Sequence, residues 1–239
     1  MPSQLLSIII PVFNEENTII EVLDRIFSIQ NLKNVEMEII VINDGSTDAT
    51  KSNLETYISR HTDRNISIKN FEKNYGKGAS VASGINSAKG DIIIIQDADL
   101  EYDPLEYQKL IQPIINGKAD VVYGSRFKGS GPHRMIYFWH YLGNRVLTGL
   151  SNLLNNLNLS DMETCYKVFK ADIIKSIHLK ENGFGIEPEI TAKIARIPGI
   201  RIYEVGIAYF GRSYEEGKKI RWWDGLWAVY CILKYRLFD

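Results

Sequence analysis

The chain has 239 residues, 45% hydrophobic and 24% charged, with a formal net charge of −1 at pH 7. That length can bury a full core, and the balanced charge gives no global case for a nucleic-acid partner. The two cysteines, Cys165 and Cys231, lie far apart without a Cys-x-x-Cys pair, which argues against a zinc site or a disulfide framework and fits a reducing cytosol.

No secretory signal opens the sequence, and no apolar run is long enough to span a bilayer. A cytoplasmic location is therefore expected. Residues 7–12 read as a buried strand running into Pro11-Val12-Phe13-Asn14-Glu15-Glu16. Asn17 or Thr18 then caps a helix with Ile19, Ile20, Leu23, Ile26 and Phe27 on one face. A second buried strand over 38–42 ends in Asn43-Asp44-Gly45-Ser46-Thr47-Asp48, where Ser46 or Thr47 is placed to cap a helix through Ile58. A third strand covers 66–70. The glycine-punctuated turn Asn74-Tyr75-Gly76-Lys77-Gly78-Ala79 leads to a helix over 80–88, and a fourth strand covers 91–96. Residues 121–123 form another strand, ending in Gly124-Ser125-Arg126.

Strands alternating with helices predict a mostly parallel central sheet with helices on both faces. Beyond it, 135–159 looks helical, 161–169 is a polar turn entering a short strand, and 201–210 alternates like an edge strand. Over 222–237, Trp223, Leu226, Trp227, Tyr230, Leu233 and Leu237 recur at helical spacing, beside Trp222 and the basic residues Lys218, Lys219, Arg221, Lys234 and Arg236. That combination fits an amphipathic helix at a membrane surface or a C-terminal helix docked on the core.

The most informative stretch joins the apolar run Ile92–Ile95 to carboxylates at alternate positions, Asp97, Asp99, Glu101 and Asp103. Side by side at the end of a buried strand, such charges repel unless a cation sits among them, most simply a divalent metal with oxygen ligands. The bland alternative is a solvated acidic turn. Ligands of open α/β sheets bind at the carboxyl ends of the strands, where this run terminates.

Several other residues have two readings each. Lys77 between Gly76 and Gly78 suits phosphate binding or a plain turn before a helix. Asp44 suits a nucleobase or ribose contact, or a turn cap. Arg126, Arg134 and Arg145 suit phosphate recognition or an ordinary surface. Asp161 suits a general base or a cap; His133 and His140 are weaker base candidates.

Taken in order, Pro11-Val12-Phe13-Asn14-Glu15, Asn43-Asp44-Gly45-Ser46-Thr47-Asp48, Asn74-Tyr75-Gly76-Lys77-Gly78, Asp97-Ala98-Asp99 and Gly124-Ser125-Arg126 resemble the motifs of family 2 inverting glycosyltransferases with the GT-A fold. Asp161-Met162-Glu163-Thr164-Cys165-Tyr166-Lys167 and the stretch from Gly211 to Lys219 resemble the branch related to dolichol-phosphate mannose synthase. The resemblance implies a nucleotide-sugar-binding domain over 1–212 and a basic, aromatic tail over 213–239. It implies a GDP- or UDP-sugar donor, a polyprenyl-phosphate acceptor, and Mg²⁺ or Mn²⁺ as cofactor. Pro11, Asn14, Glu15 and Asp44 would line the nucleoside pocket with Lys77 nearby. Asp97 would lie by the ribose and diphosphate. Asp97, Asp99 and Glu101 would form the metal side, with Asp99 the chief ligand. Arg126 and Arg134 would meet the acceptor phosphate, and Asp161 would lie at the acceptor side of the reaction centre. Asp161, Asp99 and Arg126 are thus the expected catalytic set. Relatives that end in membrane-spanning helices differ from this sequence, so attachment to the cytoplasmic membrane face is expected through the amphipathic segments or a small membrane partner subunit. The alternatives are the same chemistry on a hydroxyl acceptor, and a catalytically silent nucleotide-sugar-binding scaffold.

Overall fold

The computed structural model describes residues 3–30, 32, 34–129, 134–135, 137–212 and 222–238. The expectations placed on His133, Ile136, Lys218, Lys219 and Arg221, and on the side chain of Trp222, fall outside what is described.

One seven-stranded sheet runs through the described residues in the order β3-β2-β1-β4-β6-β5-β7. Its strands are β1 (Gln4–Val12), β2 (Val35–Asn43), β3 (Ile66–Asn70), β4 (Ile92–Ile95), β5 (Val121–Ser125), β6 (Lys167–Lys170) and β7 (Ile202–Gly206). All adjacent pairs are parallel except those of β6, which runs antiparallel to both β4 and β5. The helices are α1 (Ile19–Phe27), α2 (Thr50–Arg60), α3 (Lys77–Ser87), α4 (Tyr107–Ile115), α5 (Phe138–Asn155), α6 (Ala171–Lys175), α7 (Ile186–Ile194) and α8 (Trp222–Leu237).

The centre of the sheet forms where apolar runs are continuous. Ile8, Ile9 and Ile10 of β1 and all of Ile92–Ile95 are buried, as a strand covered on both faces requires. α1 turns Ile19, Val22, Leu23 and Ile26 inward. α3 lies close against the sheet because position 84 is glycine: a Cβ there would stand 2.3 Å from Ile9 Cγ2. This packing fixes where the carboxyl ends of β1, β2 and β4 emerge, and their loops share one edge.

The cross-linking of those loops explains where the helix starts depart from the sequence expectation. Ser46 and Thr47 do not cap α2. The Ser46 hydroxyl accepts from the Asn14 N–H at 3.0 Å, and the Thr47 N–H donates to Asn14 Oδ1 at 2.8 Å. Asp48 instead receives the Thr50 N–H at 2.9 Å, at the first turn of α2. Thr18 occupies the residue before α1, but its hydroxyl donates to Glu15 Oε2 and to the Ala98 carbonyl, at 2.8 and 2.7 Å. α3 begins at Lys77, earlier than expected, which places that lysine in its first turn. α4 and α7 were not anticipated; an internal proline, Pro113, masks the first, and a run interrupted by Glu187 and Glu189 masks the second.

α8 forms as expected, and of the two orientations its aromatic spacing allowed, the aromatic face is turned outward. Trp223, Leu226, Trp227, Tyr230, Leu233 and Leu237 face outward, between 37% and 61% exposed, whereas Ala228, Cys231, Ile232 and Tyr235 are buried. The helix is apolar on both sides rather than amphipathic. It packs on α7 and α5. Tyr137, Phe138 and Trp139 at the start of α5 are also exposed.

Candidate active site

The acidic loop after β4 does not act as one unit. Asp97 pairs with Lys77, Nζ to Oδ1 at 2.9 Å, and Lys77 also reaches Glu187 Oε1 at 3.4 Å. Burial pushes the Asp97 carboxyl up, but the Lys77 charge and hydrogen bond outweigh it and hold it below the ordinary carboxylate range. Asp103 receives the Leu105 N–H at 3.0 Å and caps a short 3₁₀ turn. Between them the backbone turns sharply, with Leu100 at φ +63°, a region leucine rarely adopts.

Asp99 and Glu101 meet Arg212, which no motif role had singled out. Its guanidinium lies 3.2 Å from Asp99 Oδ2 and 3.2 Å from Glu15 Oε1, and its backbone N–H donates to Glu101 Oε1 at 2.6 Å. Even so, the loop remains short of positive charge. Burial, then the neighbouring Asp97 and Glu101, push the Asp99 carboxyl up to about 7, with Arg212 offsetting only part. Among the described residues no three such ligating side chains already gather about a common point. The donor set is nonetheless all carboxylate oxygen, the chemistry of a hard divalent cation.

The nucleoside candidates line the adjoining loops. Pro11 is the penultimate residue of β1, and Asn14 stands at φ +51°. Asp44 is nearly fully buried, and its two oxygens accept the N–H groups of Tyr75 and Gly76 at 2.7 and 2.8 Å. Gly76 has φ +102°, so the turn that delivers Lys77 depends on both Asp44 and a glycine.

Across the cleft, Arg126 grips the fully buried Asp161 in a bidentate pair, Nε to Oδ2 at 2.7 Å and Nη2 to Oδ1 at 2.8 Å. The Arg126 N–H and the Asn144 amide complete four bonds to that carboxylate, at 3.0 and 3.1 Å. Burial raises the Asp161 value, but these donors outweigh it and hold it below the ordinary range. A carboxylate so satisfied is a poor proton acceptor. Arg134 donates from its backbone to the Tyr209 carbonyl at 2.8 Å and from Nη1 to the Gly211 carbonyl at 3.0 Å.

Tyr209 joins the two halves. Its hydroxyl donates to Glu101 Oε2 at 2.8 Å, while the Arg126 guanidinium lies 5.3 Å from its ring centroid. The structure thus brings Asp99, Glu101, Glu15, Arg126, Asp161 and Arg134 around one cleft edge. Sequence reasoning missed Arg212, Tyr209, Lys167 and Glu187. Lys167 is fully buried and paired with Glu187; a lysine flanked by apolar residues was the available signal.

The family model described as glycosyl transferase family 2 matches residues 7–177, and the chain belongs to that family. It is 29% identical over 217 residues to the dodecaprenyl-phosphate galacturonate synthase of Rhizobium johnstonii, covering 89% of this chain and 61% of that protein. It is 27% identical to the dolichol-phosphate mannosyltransferase of Pyrococcus furiosus, covering 96% of this chain and 64% of that protein. The chain thus spans less than two thirds of the length of these two relatives. An uncharacterised protein of Methanocaldococcus jannaschii is 30% identical, over 89% of this chain and 93% of its own length. Among solved structures, glucosyl-3-phosphoglycerate synthase from Mycobacterium tuberculosis, in complex with Mn²⁺, UDP and phosphoglyceric acid, superposes with a TM-score of 0.72 at 19% identity. The match covers 99% of this chain and 80% of that one, and the shared architecture is the GT-A fold.

The Arg126–Asp161 pair yields a stability test. Removing Arg126 strands a buried carboxylate, so Arg126→Ala is expected to lower the unfolding free energy by about 3 kcal/mol, and Arg126→Lys by less. The folded Asp161 value is depressed, so this contribution is complete above the unfolded value of about 3.9 and is lost as pH falls through the folded one. Urea denaturation should show the gap between wild type and Arg126→Ala closing below about pH 4. Equal stability at neutral pH would refute the pair's structural role.

Proposed function

We propose that the chain is an inverting glycosyltransferase that moves a sugar from a GDP- or UDP-sugar to a polyprenyl phosphate at the cytoplasmic membrane surface. The observation that carries this is the single tyrosine, Tyr209, separating an under-neutralised carboxylate group from the Arg126 guanidinium. A cation-seeking side for a departing diphosphate thereby stands next to an anion-seeking side for an acceptor phosphate.

Asp99 and Glu101 would hold Mg²⁺ or Mn²⁺, with Asp97 close by. When bound there, the ion supplies positive charge against the diphosphate leaving group. The chain's own residues do the rest by position and charge. Asn14, Glu15 and Pro11 shape the nucleoside side, and Asp44 orders the turn that carries Lys77. Arg126 spends only part of its donor fork on Asp161 and keeps a planar cation toward the acceptor. Arg134 braces the segment carrying Arg212. A polyprenyl phosphate is already anionic near neutral pH, so it needs no strong base. Asp161, whose proton affinity is depressed, serves as an orienting group for Arg126. The hydroxyl-acceptor alternative asks Asp161 for basicity that its four hydrogen bonds remove, and the intact charged cleft speaks against a silent scaffold.

The relatives named for dodecaprenyl- and dolichol-phosphate chemistry support a lipid acceptor. Among the described residues no helix is long and apolar enough to cross a membrane. The outward aromatic faces of α5 and α8 then provide the contact, with 213–239 as the membrane-side element and 1–212 as the transferase domain. Lys234 contributes less than its charge implies, because it pairs with Glu181 at 2.9 Å. A small membrane partner subunit remains the second mode of attachment.

Transfer of radiolabelled sugar from a panel of nucleotide sugars into undecaprenyl phosphate tests the activity. Lipid-extractable product is expected with Mn²⁺, none with EDTA, and none from Asp99→Asn, while a neutral polyprenol should be used at least tenfold less well than the phosphate (about the loss of one charge-assisted hydrogen bond). Equal use of polyprenol, or full activity in EDTA, would sink the proposal.

Membrane attachment is checked by flotation with anionic liposomes. Wild type should float at low salt, each basic residue near the surface adding roughly 1 kcal/mol. Trp139→Ser with Trp223→Ser should stay soluble and folded yet float poorly, because both rings are exposed. A folded wild type that never floats would leave the partner subunit as the better explanation.

A further inference from the structure

Two arginines serve the carboxylates of this edge, and they are held very differently. Arg126 meets Asp161 as a tight fork, at 2.7 and 2.8 Å. The guanidinium of Arg212 spreads over three acids from two loops without a tight contact to any. Its Nη2 lies 3.2 Å from both Glu15 Oε1 and Asp99 Oδ2, its Nη1 3.3 Å from Glu15 Oε2, and its Nε 3.9 Å from Glu101 Oε1. That Nε is buried and has no hydrogen-bond partner among the described residues. Well-formed bonds from a guanidinium to a carboxylate are about 2.7–2.9 Å long, so Arg212 acts here as a positive charge among carboxylates more than as a fitted fork.

The oxygens that Arg212 occupies are those a divalent ion would need. Each oxygen of Asp99 and Glu101 already has a donor. Asp99 Oδ1 accepts the Glu101 N–H at 3.1 Å, and Oδ2 accepts from the Arg212 guanidinium. Glu101 Oε1 accepts the Arg212 N–H at 2.6 Å, and Oε2 accepts the Tyr209 hydroxyl at 2.8 Å. Three of those four donors belong to Tyr209 and Arg212, in the segment that follows β7. A hard cation such as Mg²⁺ draws its oxygen ligands to about 2.0–2.1 Å. Bound through Asp99 and Glu101, it would set two positive charges beside the one on Arg212 and take the acceptor that the guanidinium now uses. Repulsion and loss of an acceptor then act on Arg212 in the same direction. Arg126 keeps its own carboxylate whatever binds at Asp99.

We propose, resting on the glycosyltransferase reading above, that Arg212 is the resident counter-ion of this edge in the metal-free protein, and that a divalent ion binds by displacing its guanidinium from Asp99. Arg212 thereby sets the metal affinity. It neutralises the acidic loop when no metal is bound, and it makes the ion compete for the same oxygens. Glu15 remains as an acceptor for the displaced guanidinium, so Arg212 swings aside, and metal binding loosens the tie between the loop after β4 and the segment after β7. Arg212 is a positioning residue in this scheme and not a metal ligand.

Two measurements on the donor-free full chain test this: calorimetric titration with Mn²⁺, and arginine modification by phenylglyoxal read by mass spectrometry. Arg212→Met should bind Mn²⁺ about tenfold or more tightly than wild type, the effect of removing one neighbouring cation from a carboxylate, and Arg212→Lys should fall between the two. In wild type, Mn²⁺ should raise the modification rate of Arg212 severalfold and leave Arg126, locked on Asp161, unchanged. An Arg212→Met protein that binds Mn²⁺ no more tightly than wild type overturns the assignment. So does a wild type that binds Mn²⁺ while Arg212 becomes no more reactive; the glycosyltransferase reading would survive either result. The modification measurement needs no variant, so it decides the matter if Arg212→Met fails to fold. Absence of Mn²⁺ binding in wild type and in both variants removes the metal-dependent reading and this inference together.

Discussion

Negative charge that cannot disperse governs this molecule. The apolar strand Ile92–Ile95 delivers a row of carboxylates to the edge of the sheet, where burial makes each one seek a partner. Lys77, Arg212 and Arg126 are recruited from three distant parts of the chain to answer it and its neighbours. Arg212 crosses 113 residues of sequence to reach Asp99 and 197 to reach Glu15. The cleft is therefore assembled by charge as much as by packing. Asp99 remains an under-neutralised member, its carboxyl pushed up to about 7 by burial and by Asp97 and Glu101.

The same charge pattern divides this edge chemically. One side is rich in carboxylates and loop N–H groups, and the other presents a guanidinium fixed by a satisfied aspartate. Asp161 illustrates how environment decides role. A carboxylate beside a reaction centre is an obvious base in the abstract, yet two bonds on each oxygen make it an anchor for Arg126. Glu163, two positions further along the same turn, has the opposite environment and the opposite proton affinity.

Much of this was legible from residue order. The change from Ile92–Ile95 to Asp97 and Asp99 pointed to a charged edge at the end of a buried strand, because carboxylates crowded there need partners. The glycines around Lys77 located the turn that carries it. The pairing of those groups was not legible. Nothing in Gly211-Arg212 tells which distant carboxylates its guanidinium meets, and ion pairs between loops have no periodicity. The orientation of α8 was left open for a related reason: helical spacing shows that Trp223, Trp227 and Tyr230 share a face, but only the neighbours α5 and α7 decide which face is covered. Local capping signals at Ser46 and Thr18 failed because cross-loop partners outcompeted the backbone.

The most direct measurement is Mn²⁺ binding to the donor-free protein by titration calorimetry in buffers of different ionisation enthalpy. With Asp99 near 7, a metal ion must displace its proton at lower pH. About half a proton should be released per ion at pH 7, with affinity falling toward tenfold per unit below pH 7 and levelling above pH 8. Asp99→Asn should abolish both the binding and the release. Binding that is independent of pH and releases no proton, or the absence of binding at any pH, would contradict a carboxylate edge that holds a divalent cation through Asp99.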